Sequence, residues 1–188
     1  MPFLLITLCW VAFAAVWLVL WFNNKETREL ESWSNRAAYM ALFIVAAVLL
    51  WRNFNQAVYP FSIVLLRYSP TKSWVGFVIV LLGLLLALVA RIALGRNWSG
   101  SVQIKEGHEL VTKGPYAFVR HPIYSAILLM VIGTALVLGN LGALLSIPFA
   151  FAGCWIKLRQ EERFMAREFP ETYSAYAART KRLIPYVL

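Results

Sequence analysis

The chain has 188 residues, of which 61% are hydrophobic and 14% charged, with a formal net charge of +9 and a mean hydropathy of +0.66. A soluble domain carries about a quarter charged residues and about half apolar ones, so this composition excludes a water-facing globule. Apolar runs are spread evenly along the chain, with no linker, low-complexity tract or internal repeat, and they predict a single membrane domain over residues 1–188.

Residues 2–22 contain no charge, which matches the ~20 apolar residues needed to cross a ~30 Å hydrocarbon core. The run lacks the basic flank and short core of a signal peptide, so a helix that stays is expected. A polar stretch at 23–36 precedes a second span at 37–51, which the Arg52-Asn53-Phe54-Asn55-Gln56 cluster ends. Residues 57–66 are apolar but broken by Pro60, too short to span, and read as a bent or interfacial segment. Tyr68-Ser69-Pro70 marks a turn before a third span at 74–90, where Gly76 and Gly83 suit close helix contact. Two last arms, 123–138 and 141–156, are joined only by Gly139-Asn140 and must form an antiparallel hairpin. Each arm is shorter than ~20 residues, so their inner ends are expected to bury functional groups.

The predicted fold class is therefore an all-α integral membrane protein with about five transmembrane helices, a C-terminal helical hairpin and a cytoplasmic amphipathic helix after Pro170. Residues 23–36, 91–120 and 157–188 carry 15 of the 18 basic residues, and Arg52, Arg67 and Lys72 fall on the other side. By the positive-inside rule the N-terminus is outside and the C-terminus cytoplasmic. Topology and attraction to anionic lipid account for the positive charge, so membrane lipid is an expected partner and nucleic acid is not. Cys9 and Cys154 lie in apolar runs without neighbouring ligands, which reads as two small buried fillers with no metal site. Asn97-Trp98-Ser99 matches a glycosylation acceptor by chance on the cytoplasmic side. Tryptophans near span ends read as interfacial belt residues.

Two cytoplasmic segments, 91–124 and 157–188, are too specific in composition to be connectors. The first holds both histidines, His108 and His121, and a Gly114-Pro115 turn. Pro122 fits the first position of the fourth span, so the residues before it sit at a helix N-terminus whose free amides favour an anionic ligand group. In the second segment Lys157 and Glu161 are four apart on one helical face, and Glu162 faces elsewhere. A carboxylate at the mouth of a basic cavity suits a ligand ammonium. Taken singly, Arg120 and Arg159 also fit interfacial anchors, Lys157 and Glu161 a surface pair, His108 a solvent-facing loop residue, and Tyr173 and Tyr176 packing residues of the C-terminal helix.

Together the segments are similar to a known family. Gly114-Pro115-Tyr116, Arg120-His121-Pro122-Ile123-Tyr124, Glu161-Glu162, Phe169-Pro170-Glu171-Thr172-Tyr173 and Arg182-Leu183-Ile184-Pro185 resemble the isoprenylcysteine carboxyl methyltransferases and their prokaryotic and phospholipid-methylating relatives. The resemblance covers about residues 91–188, expected as a cofactor-binding catalytic core following three N-terminal spans at 1–90. It implies a membrane-embedded, S-adenosylmethionine-dependent methyltransferase without a soluble nucleotide-binding fold, acting on a lipophilic methyl acceptor that arrives from the lipid side. Cofactor contacts would fall on Gln103, His108, Glu109, Leu110, Val111, Tyr116, Arg120, His121, Pro122, Ile123, Tyr124, Glu161 and Glu162. Lys157, Arg159 and Glu161 would carry the acceptor chemistry, with Glu161 taking the methionine ammonium.

Two positions depart from the family pattern. Lys157 stands where carboxyl-methylating relatives have Arg four residues before the first Glu; Arg159 lies nearby but about 200° around the helix. Lys supplies a point charge without the bidentate fork. Ala126 stands where the family commonly has Gly, two residues after Tyr124, and is expected to narrow the channel. Carboxyl O-methylation is the first expectation, since a carboxylate needs no base at neutral pH; amine N-methylation of a phospholipid and S-methylation of a small thiol are the second. A sterol-reductase-like enzyme using NADPH and a non-enzymatic lipid-binding membrane protein are the alternatives. The sequence leaves oligomeric state open.

Overall fold

The computed structural model describes residues 1–21, 27–98, 102–105 and 109–188. Its helices are α1 (Pro2–Trp21), α2 (Trp33–Leu50), α3 (Arg52–Ala57), α4 (Pro70–Leu94), α5 (Pro122–Leu138), α6 (Leu141–Glu168) and α7 (Pro170–Arg179). Two short strands, β1 (Thr27–Leu30) and β2 (Gln103–Lys105), form one antiparallel pair with a bulge between Thr27 and Glu29. This ladder is an addition to the all-helical expectation. It ties the segment before α2 to the segment after α4.

Among the described residues, four stretches are long and apolar enough to cross a membrane: Pro2–Leu20, Trp33–Leu50, Pro70–Asn97 and Leu141–Glu168. The protein is an integral membrane protein. α5 is apolar but has 17 residues, and it packs along α4. The contact between α4 and α5 depends on missing side chains. A Cβ placed on Gly133 would meet Gly76 O at 2.5 Å, and one on Gly83 would meet Ala126 O at 2.9 Å. The two backbones approach as closely as small-residue membrane interfaces allow. Gly76 and Gly83 thus do what the sequence suggested. Ala126 is fully buried with its carbonyl against Gly83, and it lines neither of the two large cavities. Ala126 thus sits within the contact between α4 and α5.

The α5–α6 hairpin turns in two residues because each is suited to its place. Gly139 takes a left-handed φ of 68° at the end of α5, and Asn140 caps α6 by accepting the Ala143 N–H at 2.9 Å. The segment expected at 57–66 as bent or interfacial ends over this turn: the Leu65 and Leu66 N–H groups donate to Gly139 O at 2.9 and 2.8 Å. α6 departs from the expected arm of 141–156. It continues unbroken for 28 residues to Glu168, because residues 157–168 are mostly strong helix formers, and it stops before Pro170. Lys157, Glu161 and Glu162 consequently ride on the same rigid rod as the apolar arm.

Candidate functional site

At the end of the bundle where α1, α4 and α6 meet the start of α5 there is a cavity of about 590 Å³. Its lining includes Glu109, Leu110, Val111, Tyr116, Arg120, His121, Ile123, Tyr124, Lys157 and Glu161 from the sequence expectation. Pro122, at the first turn of α5, and Glu162 lie just behind that lining. Arg159 is exposed and does not reach the cavity. Its position around the helix from Lys157 explains why. His108 lies outside the described residues; Gln103 is placed in β2, with its side chain outside the description.

α5 begins at Pro122, whose missing N–H is harmless at that position, and this presents His121 and Tyr124 to α6. The His121 and Tyr124 rings stack with centroids 5.5 Å apart and an interplanar angle of 18°. Tyr124 donates its hydroxyl hydrogen to Glu161. His121 lies between the two acids, Nδ1 at 3.4 Å from Glu161 Oε2 and Nε2 at 3.4 Å from Glu162 Oε1. Burial opposes a charge on His121, but its hydrogen bonds to Glu161 and Glu162 outweigh that cost and hold its pKa above the ordinary imidazole value. Glu161 and Glu162 thus both approach the His121 ring at the start of α5.

Glu162 faces away from the cavity, as its helical phase required, but into a polar knot. It accepts Arg120 Nε–H at 2.8 Å and Arg182 Nε–H at 2.9 Å. Arg120 also donates to the carbonyls of Ala177 and Thr180, so it is a strut rather than an interfacial anchor. Backbone bonds from Arg120 N–H to Lys181 O (2.7 Å) and His121 N–H to Arg182 O (3.0 Å) complete the attachment of the C-terminal segment. That segment seats Tyr173 and Tyr176 in the cavity roof, and Tyr176 donates to Tyr116 O at 2.7 Å. Burial raises the phenol pKa values of Tyr116 and Tyr173, and pushes Tyr176 up to about 12, so all three remain protonated at neutral pH.

Several cavity residues escaped the sequence reading. Phe13 and Trp17 of α1 stack with centroids 4.0 Å apart, and Trp17 meets Trp98 edge-on at 6.3 Å. Both tryptophans line the cavity rather than a lipid belt. Arg91 supports this wall from the end of α4, with its guanidinium 4.5 Å from the Trp98 ring centroid and hydrogen bonds to Gly95 O and Leu20 O. Asn97 lines the cavity with its Oδ1 buried and without a hydrogen bond among the described residues. No spacing in the sequence links α1 to this wall, so only the fold reveals it.

A second, mainly apolar cavity of about 730 Å³ lies between α1, α2, α5 and α6, lined by residues such as Ile6, Trp10, Phe43 and Val131. Ile127 lines both cavities.

The sequence profile described as phospholipid methyltransferase matches residues 71–172, more than half of the chain. A cobalt-zinc-cadmium resistance protein of Cupriavidus metallidurans is 34% identical over 60% of this chain and 52% of its own length. Protein-S-isoprenylcysteine O-methyltransferase B of Arabidopsis thaliana is 33% identical over 60% of this chain and 58% of its own length. The solved structure of the eukaryotic intramembrane Ras methyltransferase, isoprenylcysteine carboxyl methyltransferase, superposes with a TM-score of 0.57 at 26% identity, covering 78% of this chain and 53% of that one. The chain spans between half and three fifths of the length of these relatives. With the matched residues carrying most of the cavity, the chain belongs to the phospholipid methyltransferase family, within which its motifs resemble the isoprenylcysteine carboxyl methyltransferases.

Proposed function

We propose that the protein is a membrane-embedded methyltransferase that takes S-adenosylmethionine in the 590 Å³ cavity and methylates a lipophilic acceptor, first of all an isoprenylcysteine-like carboxylate. The observation that carries this reading is the convergence of Glu161, His121, Tyr124 and Lys157 at one end of an otherwise aromatic cavity.

The cavity's chemistry fits the cofactor. Glu161, with its side chain 27% exposed, offers a carboxylate to the methionine ammonium. Trp17, Trp98 and Tyr116 offer flat apolar faces to the adenosine, and the orphaned Asn97 Oδ1 offers an acceptor to an amine or hydroxyl. When bound, S-adenosylmethionine supplies an electrophilic methyl group on a sulfonium. The protein's part is to position and to exclude water, since an in-line approach needs little covalent help. Tyr124, His121 and Glu162 hold Glu161 and its surroundings in place, and the tyrosine roof covers the site.

The apolar cavity reached past Ile127 supports a lipophilic acceptor, and Lys157, 9% exposed, supports an anionic one. The basic residues at the cavity's end support its placement on the cytoplasmic side with the N-terminus outside, and the hairpin completes a five-span reading with α5 as the shortest. Lys157 also keeps a second acceptor class in view: a Lys ammonium cannot fork onto a carboxylate as Arg does, which leaves amine N-methylation of a phospholipid or S-methylation of a small thiol as the second reading. The test is transfer of radiolabelled methyl from S-adenosylmethionine to N-acetyl-S-farnesylcysteine, phosphatidylethanolamine vesicles and a small thiol in parallel. Label is expected on the farnesylcysteine carboxylate; label on the amine lipid would move the assignment to the second reading, and label on none would reject it.

A further inference from the structure

A neighbour of the cavity residue Lys157 comes from outside the family match at 71–172. Lys157 Nζ stands 5.3 Å from the centroid of the Tyr39 ring and 5.7 Å from that of Tyr124. Tyr39 belongs to α2, is 2% exposed and donates its hydroxyl hydrogen to Glu31. Glu31 is itself fixed: the same Oε1 accepts the Val102 N–H at 3.0 Å, and the Glu31 N–H donates to Val102 O at 3.0 Å. The backbone bond continues the β1–β2 pairing past Leu30 and Gln103 and the side-chain bond reinforces it, so the segment before α2 and the segment after α4 are clamped together. Glu31 Oε2 is buried and has no hydrogen bond among the described residues.

A flexible four-carbon Lys stem leaves its head mobile, and beside the electrostatic attraction of Glu161 and Glu31 two ring faces help to fix it by attraction to their negative quadrupoles. A phenol that gives its hydrogen bond to a carboxylate has a more electron-rich face, which strengthens that attraction. Tyr124 is held to Glu161 in the same way, so the ammonium lies between two tyrosines that each donate to an acid. One arm belongs to the matched region and the other does not.

We propose that Tyr39, held by Glu31, is a positioning residue that fixes the Lys157 ammonium at the acceptor end of the cavity, so that α2 shares in selecting the acceptor. The selectivity half of this inference rests on the methyltransferase reading; the placement of Lys157 does not. Two measurements on the full-length protein in detergent separate them. In the first, reductive methylation of Lys157 with formaldehyde and cyanoborohydride is followed by mass spectrometry. Tyr39→Leu is expected to speed labelling about 5-fold or more, and the milder Tyr39→Phe and Glu31→Gln about 2-fold. Unchanged labelling in all three overturns the proposal. In the second, Tyr39→Phe is expected to raise the KM for N-acetyl-S-farnesylcysteine several-fold while affinity for S-adenosylmethionine, measured by calorimetry, stays within about 2-fold. An equal loss of both, or a fall in kcat alone, overturns the selectivity assignment and leaves Tyr39 a packing residue. Wild-type protein that binds no S-adenosylmethionine sinks the methyltransferase reading, and with it the selectivity half, while the labelling result still decides the placement.

Discussion

Glu162 is the residue on which the C-terminal attachment converges, because it is the shared acceptor of Arg120, Arg182 and His121. Replacing it by Gln removes the charge while keeping the shape, and hydrogen bonds to charged groups are worth about 1.5–3 kcal/mol each. Glu162→Gln is expected to cost about 2 kcal/mol of stability and to expose the region after α7 to limited proteolysis; unchanged cleavage would show that the backbone bonds at Arg120 and His121 suffice alone. His121 sets a pH dependence whose sign follows from its raised pKa. The folded protein holds this proton more tightly than the unfolded chain does. Its stabilisation is therefore fully present below the unfolded imidazole value of about 6.5 and is lost as pH rises through the higher folded value. The thermal midpoint in detergent is expected to fall as pH is raised above about 6.5, and to fall less steeply in His121→Asn. At this scale the Arg120-His121-Pro122-Ile123-Tyr124 run and the Glu161-Glu162 pair were legible because a local turn and one helix bring them together. Tyr39 and Glu31 were not, since nothing in the spacing shows which residue of α2 faces Lys157. Arg159 was included as the Arg nearest the position where the resembled family has one, and its exposed face on α6 explains its separation from the cavity.

At the scale of elements, the α4–α5 pair is the most tightly apposed part of the bundle. Gly83→Ala would place a Cβ 2.9 Å from Ala126 O and 2.8 Å from Met130 Cγ. Backbone cannot yield as a side chain does, so a loss of about 1–3 kcal/mol is expected by thermal unfolding. Met130→Ala in the same background would relieve only the second clash, and full rescue by it would show that the backbone contact is not limiting. The apolar runs revealed α1, α2, α4 and the hairpin, since hydropathy reads length directly. They misjudged where α6 ends, because the run of apolar residues stops at 156 while helix propensity does not. The β1–β2 ladder left no signal, being held by backbone bonds between segments more than 70 residues apart.

At the scale of the molecule, α1 lines the candidate cavity and α2 touches one of its residues. Trp17 and Phe13 of α1 form a cavity wall, Arg91 bonds Leu20 O at the end of α1, and Tyr39 of α2 meets Lys157. The sequence assigned the catalytic core to residues 91–188 because the recognisable motifs end there; the folded cavity draws on residues from 13 onward. Trp17→Ala is accordingly expected to weaken donor binding by about 10-fold, as loss of one aromatic face does, though it lies far in sequence from every motif. The most direct test of the central claim is a calorimetric titration of purified, folded protein with S-adenosylmethionine and, separately, NADPH, in wild type and Glu161→Gln. The account expects saturable binding of S-adenosylmethionine to wild type, at least about 10-fold weaker in Glu161→Gln, and none of NADPH. Preference for NADPH, or equal S-adenosylmethionine affinity in both proteins, would contradict it.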